Sequence, residues 1–116
     1  MEFKNLISNK GCKLEGPLEI IPSVFLDKRG LFFESWNQSR FDDCIGKNVI
    51  FVQDNQSKSI KNVLRGLHFQ SQPKAQDKLV RVVKGAIYDV IVDLRKNKST
   101  FGSWSGIEIN EELNNQ

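Results

Sequence analysis

The sequence predicts an all-β protein, a sandwich or barrel of short strands. Apolar and polar residues alternate with period two through much of the chain, whereas sustained helical periodicity is scarce. The apolar runs are short and are separated by residues typical of turns. With 116 residues, the chain is expected to form a single domain over residues 1–116, with one modest core.

The first half is predicted to contain two extended segments and a short helical turn. Residues 18–26 read as extended but are interrupted by Pro22, which cannot donate to a strand ladder. Asp27-Lys28-Arg29-Gly30 is typical of a turn, because Asp bonds its own backbone and Gly tolerates positive φ. A strand then resumes over residues 31–36, and the polar residues 37–45 predict a helical turn.

The second half is predicted to consist of further short strands. Lys84-Gly85 is typical of the turn of a hairpin between two of them. Residues 56–62 and 71–77 are polar loops, and the tail 110–116 is polar without a capping or turn signature. The predicted strands cover residues 48–53, 63–70, 78–83, 86–94 and 101–109.

The predicted strand over residues 86–94 has two faces of different polarity. Period-two geometry places Asp89 and Asp93 with Ile87 and Ile91, and leaves the other face without a charged residue. We expect that second face, formed by Tyr88, Val90, Val92 and Leu94, to be the drier one. A carboxylate at Asp89 among aliphatic neighbours is costly unless it is paired.

Charge and cysteine usage limit the classes of partner. The 17 basic and 14 acidic residues are interspersed, which is typical of a solvated surface and predicts no nucleic-acid partner. Cys12 and Cys44 form no CxxC motif, and residues 1–16 lack the apolar core of a signal peptide, so both are expected to be reduced thiols in a cytoplasmic protein. No apolar run approaches the ~20 residues of a membrane span, so no membrane partner is expected.

His68 is the only histidine and the first candidate for moving protons near neutral pH. The alternative is a half-buried strand histidine that hydrogen-bonds a neighbour. An ideal strand points Arg65 and His68 to opposite faces. Gly66 between them could host a bulge that redirects one of the two side chains.

Cationic and amide side chains suggest an anionic or polar ligand. Arg suits bidentate binding of a phosphate or carboxylate, whereas Lys acts as a point charge. Glu34, Gln53 and Asn55 could hydrogen-bond a polar ring, although turn or edge chemistry is the alternative for all three and is strongest for Asn55. The candidate cations are Arg29, Arg65, Lys78 and Arg81, each of which could also be an ordinary solvated side chain.

Metal and hydrolytic chemistry are disfavoured by the residue types. A single histidine with scattered carboxylates falls short of the usual ligand sets for a transition metal. No GxSxG motif is present. We therefore expect no metal and no cofactor.

Several ordered motifs resemble the dTDP-4-dehydrorhamnose 3,5-epimerases, a family of deoxysugar epimerases. The resemblance begins with Asp27-Lys28-Arg29-Gly30-Leu31-Phe32-Phe33-Glu34 and continues with Phe51-Val52-Gln53-Asp54-Asn55-Gln56-Ser57-Lys58-Ser59. It then covers residues 63–70, and it spans most of the chain from about Leu18. The remaining matches are Pro73, Gln76, Lys78, Leu79, Val80, Gly85, Asp89, Val90, Val92, Asp93, Leu94, Arg95, Phe101, Gly102 and Trp104.

The resemblance implies a cupin-like jelly roll that acts as a homodimer without metal. It implies the epimerisation of dTDP-4-dehydro-6-deoxy-D-glucose, a dTDP-4-keto-6-deoxyhexose, at C3 and C5 in dTDP-L-rhamnose biosynthesis. By match to the motifs, His68 resembles the catalytic base and Lys78 the residue near the C4 carbonyl oxygen. The implied substrate-binding residues are Arg29 and Arg65 for the diphosphate and nucleotide, and Glu34, Gln53, Asp54 and Asn55 for the nucleotide.

The resemblance also implies features that lie beyond the position of Gln116 in family members. These are further strands, a second histidine in an Ala-His-Gly-Phe motif, a tyrosine that serves as acid and an aspartate that orients the base. We therefore expect a jelly roll that is incomplete at the C-terminus and marginally stable, aggregation-prone or dependent on dimerisation. Within this chain, Asp89 and Asp93 are the candidate partners of His68.

Other functions remain open on the sequence alone. The chain could be a non-catalytic dTDP-sugar-binding remnant, or a related epimerase that acts on a single carbon of a dTDP-ketosugar. It could also be a cupin-type interaction domain without a small ligand. Nucleic-acid binding ranks last, because no basic patch with interleaved aromatic residues is present.

Overall fold

The computed structural model describes all residues from Met1 to Gln116, and its regular secondary structure consists mainly of antiparallel strand pairs. The pairs are β1–β2, β3–β4 and β5–β6, so the all-β prediction is confirmed. One short helix, α1, lies between the second and third pairs. The elements are β1 Glu2–Ile7, β2 Lys13–Ile21, β3 Val24–Asp27, β4 Gly30–Phe33, α1 Gln38–Ile45, β5 Ala86–Val92 and β6 Trp104–Asn110.

The first strand pair contains most of the small apolar core. β1 was not predicted, and β2 begins earlier than the extended segment predicted from Leu18. Their pairing runs from Glu2↔Ile21 to Ile7↔Lys13, with a shift in register between Asn5 and Ile7. The buried hydrophobic residues are Leu6, Leu14 and Ile20 on this pair and Ile109 on β6.

The predicted turn between β3 and β4 is confirmed. The Asp27 carboxylate accepts a hydrogen bond from the Arg29 backbone nitrogen at 2.8 Å, and Gly30 has a φ of 135°. Cross-strand pairs such as Phe25↔Phe32 complete the hairpin. Pro22 separates β2 from β3, as its missing N–H donor predicts.

Helix α1 confirms the predicted helical turn. Asn37 caps its first turn by accepting a hydrogen bond from the Arg40 backbone nitrogen at 3.1 Å. The helix ends at Gly46, whose left-handed conformation is typical of a C-terminal cap. An aromatic cluster of Trp36, Phe41 and Phe51 packs the helix against the chain on both sides of it.

The predicted hairpin at Lys84-Gly85 is wrong. Residues 78–83 form no strand, and β5 pairs instead with β6, in the register Ile87↔Ile109 and Val92↔Trp104. The pairing of β5 with β6 brings apolar side chains opposite each other, which stabilises a sheet. Residues 78–84 contain four aliphatic residues but pair with no strand.

Residues 47–84 form no regular strand, so the predicted strands 48–53 and 63–70 are also wrong. One backbone–backbone hydrogen bond lies wholly within this stretch, from Lys74 N to Ser71 O at 2.9 Å. Every residue from Val52 to Lys78 is exposed. The β-type pattern is present, but a strand needs a neighbour to satisfy its backbone groups, and none lies beside it. We call residues 47–84 the open segment.

The predicted drier face of β5 is wrong, because Tyr88 is 66% exposed while Asp93 is buried. The Asp93 carboxylate accepts hydrogen bonds from Arg95 Nε at 2.9 Å and Thr100 Oγ1 at 2.6 Å. These bonds, with the Arg95 contribution first, hold the pKa of the Asp93 carboxyl well below its usual range. A buried carboxylate is tolerated here because it is fully paired.

The tail is more ordered than its polar sequence indicates. Gln116 and Ile20 exchange two backbone hydrogen bonds, each 2.9 Å long. Asn115 is buried, and its Nδ2 donates to Glu19 Oε1 at 2.7 Å and to the Glu108 carbonyl at 2.9 Å. The tail therefore joins β2 to β6. No helix is long and apolar enough to cross a membrane.

Candidate functional site

His68 lies in the open segment with an exposed side chain. The predicted strand alternation does not apply, because residues 63–70 are not a strand. Gly66 has a φ of 97° and brings the His68 ring back over its own backbone. A Cβ atom built on Gly66 would lie 2.8 Å from His68 Nδ1, so the ring occupies space that any larger residue would need.

Lys78 is the other predicted catalytic residue, and it is also exposed. Its Nζ donates to Gln76 Oε1 at 2.5 Å. An ammonium group has three donors, so this bond leaves the others available to a ligand. No hydrogen bond or ion pair joins Lys78 to His68 in this structure.

The two predicted phosphate-binding arginines lie in different parts of the chain. Arg65, in the open segment, donates from Nε and Nη2 to Ser59 Oγ at 3.1 and 3.0 Å. Arg29, at the tip of the β3–β4 hairpin, donates from Nε to Asp27 Oδ2 at 3.1 Å. Its hydrogen bonds lower the pKa of the Asp27 carboxyl. The Arg29 side chain is 91% exposed and can reach an external anion.

Glu34 follows β4 and lines an open groove of about 480 Å³. Its carboxylate accepts a hydrogen bond from Asn37 Nδ2 at 3.1 Å and lies 3.3 Å from Arg40 Nη1. Phe25 and Phe32 line the same groove from the facing strands. Glu34 is the only predicted site residue that lines it.

Gln53, Asp54 and Asn55 stand together near the start of the open segment. Gln53 Nε2 and Asn55 Oδ1 are 3.5 Å apart, and all three residues are exposed. This contact is the only hydrogen bond between any two of the predicted site residues. The structure thus places Gln53, Asp54, Asn55, Arg65, His68 and Lys78 on one segment, Arg29 at the tip of the β3–β4 hairpin and Glu34 beside helix α1.

The expectation that Asp93 contacts His68 is wrong. Asp93 is occupied by Arg95 and Thr100. No hydrogen bond or ion pair joins Asp89 to His68, and burial raises the pKa of the Asp89 carboxyl. No group of three or more His, Cys, Asp or Glu residues is arranged to hold a metal ion. Cys12 and Cys44 are separate, exposed free thiols.

Sequence reasoning missed Asp42, a half-buried residue of helix α1. Its carboxylate accepts hydrogen bonds from Asn48 Nδ2 at 2.7 Å and from the Val49 backbone nitrogen at 3.1 Å. Gln38 Nε2 donates to both of its oxygens, each at 2.9 Å. The available signal was the i, i+4 spacing of Gln38 and Asp42 on a predicted helical turn.

The sequence of this chain matches a family of known proteins over most of its length. A family model described as dTDP-4-dehydrorhamnose 3,5-epimerase matches residues 11–116. A dTDP-4-dehydrorhamnose 3,5-epimerase of Salmonella typhimurium is 57% identical over 95 residues, which are 82% of this chain and 52% of the relative. The chain therefore spans about half the length of the curated relatives it matches.

Solved structures agree with the sequence match. The dTDP-4-dehydrorhamnose 3,5-epimerase of Elizabethkingia anophelis superposes with a TM-score of 0.86 at 43% identity, over 100% of this chain and 61% of that one. A 3,5-epimerase of Legionella pneumophila, solved with dTDP-4-keto-L-rhamnose, gives a TM-score of 0.85 at 39% identity, over 99% and 58%. The prediction of an all-β, cupin-like jelly-roll class is confirmed over the part of the fold that this chain covers.

Proposed function

We propose, since this chain belongs to the dTDP-4-dehydrorhamnose 3,5-epimerase family, that it acts on dTDP-4-dehydro-6-deoxy-D-glucose and epimerises it at C3 and C5. The observation that carries the proposal is the extent of the family match. Residues 11–116 include every predicted site residue from Arg29 to Lys78. The solved Legionella relative, which holds a dTDP-ketosugar, supports the same class of substrate.

His68 is the proposed base. The C–H bonds at C3 and C5 of the sugar are acidified by the C4 ketone between them, and a neutral imidazole suits their deprotonation near neutral pH. The exposed side chain of His68 is open to a substrate. Inversion also requires a proton donor on the opposite face of the sugar, a role that we assign to none of the predicted site residues.

Lys78 is proposed to stabilise the enolate. Removal of a proton next to the ketone places negative charge on the C4 oxygen, and a cation aimed at that oxygen lowers the barrier. The bond from Nζ to Gln76 Oε1 restricts the lysine side chain without neutralising its charge. Gln76 is neutral, so the ammonium keeps its full attraction for an oxyanion.

Arg65 and Arg29 are proposed to bind the diphosphate. A guanidinium has five donors, and the contacts of these two arginines with Ser59 and Asp27 use only some of them. Bidentate Arg–phosphate geometry gives both affinity and orientation. Glu34 and the Gln53-Asp54-Asn55 segment are proposed to hydrogen-bond the nucleotide.

The assembly and location of the protein are part of the proposal. We propose one domain over residues 1–116, a homodimer and a cytoplasmic location, with no nucleic-acid partner. Exposed apolar side chains on the open segment, such as Leu64 at 89% and Phe69 at 73%, support burial against another surface. The free thiols of Cys12 and Cys44 are typical of a reducing compartment.

A second candidate function is binding of a dTDP-sugar without turnover. The separation of the proposed site residues favours this function, because no hydrogen bond joins His68 to Lys78 or to either arginine. A protein that only binds the dTDP-sugar needs the phosphate and nucleotide contacts. It does not need His68 and Lys78 to be positioned together for catalysis. The two functions make opposite predictions about proton exchange.

The test is proton NMR of dTDP-4-keto-6-deoxyglucose in deuterated buffer with the folded 116-residue chain. Deuterium incorporation at C3 and C5 above the rate without protein supports the epimerase proposal. Incorporation at one carbon alone, together with inversion at that carbon, identifies a single-carbon epimerase. Absence of incorporation, together with saturable binding of dTDP, supports the binding remnant and overturns the catalytic proposal.

A further inference from the structure

We propose that helix α1 positions the nucleotide-binding side chains, with Asp42 as its positioning residue. This inference rests on the proposed function, because it concerns the same nucleotide. The helix contacts one proposed nucleotide ligand, Glu34, and the residues that immediately precede the other group, Gln53, Asp54 and Asn55. Glu34 is bound at the first turn of the helix, and the chain that leads to Gln53 and Asn55 is bound by the side chains of Gln38 and Asp42.

The N-terminal end of the helix holds Glu34. Asn37 is the capping residue, and its side-chain amide forms hydrogen bonds with both Arg40 and Glu34. Oδ1 accepts from the Arg40 backbone nitrogen at 3.1 Å, and Nδ2 donates to Glu34 Oε2 at 3.1 Å. Arg40 adds an ion pair of 3.3 Å to the other carboxylate oxygen. The orientation of Glu34 is therefore tied to the formation of the first turn.

The side of the helix that carries Gln38 and Asp42 holds the start of the open segment. Asp42 accepts hydrogen bonds from Asn48 Nδ2 and from the Val49 backbone nitrogen. Gln38 Nε2 reaches past Asp42 and donates to the Val49 carbonyl at 2.7 Å. Both backbone groups of Val49 are thus bound by side chains of α1, as a neighbouring strand would bind them.

The aromatic cluster extends this attachment to Phe51. Its ring lies 5.3 Å from that of Trp36 and 5.8 Å from that of Phe41, both edge-on. Beyond Phe51, every residue as far as Lys78 is exposed. The contacts with α1 are therefore the last packing contacts of the chain before Gln53 and Asn55. They fix the position from which the chain continues to those two residues.

The residue type at position 42 matters because both carboxylate oxygens are used. Gln38 donates to both, Asn48 donates to Oδ2 and Val49 donates to Oδ1. An asparagine has one acceptor oxygen and could serve part of this set, whereas an alanine could serve none. The next residue, Asp43, is exposed and its carboxylate makes no hydrogen bond or ion pair, so it carries the same charge without the same role.

The test compares Asp42→Ala, Asp42→Asn and the control Asp43→Asn in the 116-residue chain. The affinity for dTDP is measured by calorimetry, and amide hydrogen exchange is measured over residues 49–55. We expect Asp42→Ala to weaken dTDP binding about tenfold and to speed amide exchange in that stretch. Asp42→Asn should fall between Asp42→Ala and the wild type, and Asp43→Asn should match the wild type.

A split between binding and chemistry separates positioning from general unfolding. At saturating substrate, the rate of deuterium incorporation should stay within about twofold of the wild type in Asp42→Asn. Equal dTDP affinity in the wild type and both Asp42 variants overturns this inference alone. Failure of the wild-type chain to bind dTDP overturns the proposed function, and this inference with it.

Discussion

The imidazole of His68 occupies the space that a side chain at position 66 would need, and Gly66 leaves that space open. A Cβ atom on Gly66 would lie 2.8 Å from His68 Nδ1 and 3.1 Å from the His68 backbone nitrogen. Real Cβ atoms essentially never approach a ring atom so closely, and the φ of 97° at this position is one that residues with a side chain rarely adopt. The position of the imidazole therefore depends on glycine at 66.

The first prediction is that Gly66→Ala displaces the proposed base. We expect deuterium incorporation into the ketosugar to fall at least tenfold or so, because the ring and the local backbone must both move. The matched control is Gly106→Ala, because a Cβ atom on Gly106 would lie 2.6 Å from Cζ of the exposed Tyr88 ring. Gly106 is remote in sequence from every proposed site residue. An exchange rate in Gly66→Ala equal to that of the wild type would contradict the prediction.

The second prediction concerns His68 itself. His68→Asn removes the only imidazole and should reduce incorporation to the rate without protein, because the chain holds no second imidazole to act as the base. Binding of dTDP should be retained, since His68 is not among the proposed nucleotide or phosphate ligands. NMR exchange and calorimetry measure the two effects separately. Exchange retained in this variant would refute the assignment of the base.

The third prediction concerns stability and pH through Asp93, whose side chain is 3% exposed. Its folded-state pKa is depressed by hydrogen bonds from Arg95 and Thr100. The resulting stabilisation is fully present above the unfolded pKa, about 4, and is lost as the pH falls from there towards the folded pKa. Asp93→Asn should lower the free energy of unfolding by about 2 kcal/mol at pH 7.

Urea unfolding at pH 7 and at pH 3 checks the Asp93 prediction. The difference in stability between the wild type and Asp93→Asn should be largest at pH 7 and should shrink at the lower pH. The exposed carboxylate Asp43 provides the control, because Asp43→Asn should leave stability unchanged. A difference that is constant across this range would show that the charge of Asp93 contributes nothing.

The fourth prediction concerns the tail. Asn115 is 2% exposed, and its side chain joins Glu19 on β2 to the Glu108 carbonyl on β6. Asn115→Ala should lower the free energy of unfolding by about 2 kcal/mol, because the Glu19 carboxylate and the Glu108 carbonyl lose their hydrogen-bond donor. Asn97→Ala, in an exposed turn and without a side-chain hydrogen bond, is the control. Thermal unfolding of the two variants should differ clearly, and equal midpoints would be inconsistent with a packed tail.

The fifth prediction is that the 116-residue chain is marginally stable or depends on self-association. Only 11 of its 116 residues are buried, which leaves little hydrophobic stabilisation to offset chain entropy. The midpoint of thermal unfolding should rise with protein concentration, and it should lie below that of the longer Salmonella typhimurium relative. Equal, concentration-independent midpoints for the two proteins would sink this prediction.

Local chemistry within the sequence was sufficient for several features. The turn at Asp27-Lys28-Arg29-Gly30, the interruption at Pro22 and the helical turn around Phe41 each depend on neighbouring residues, and all three are present in the structure. The all-β class followed from period-two alternation. The motifs around Arg29, Gln53 and His68 were sufficient to indicate the family.

Only the tertiary structure decided which segments have a partner. Residues 48–53, 63–70 and 78–83 have the composition of strands but lie unpaired, whereas β5 finds its partner in β6. The attachment of the open segment to Asp42 and the burial of Asn115 likewise join residues that no local pattern connects. A strand or a buried polar group is stable only when distant residues complete its hydrogen bonds, and the identity of those residues is a property of the fold.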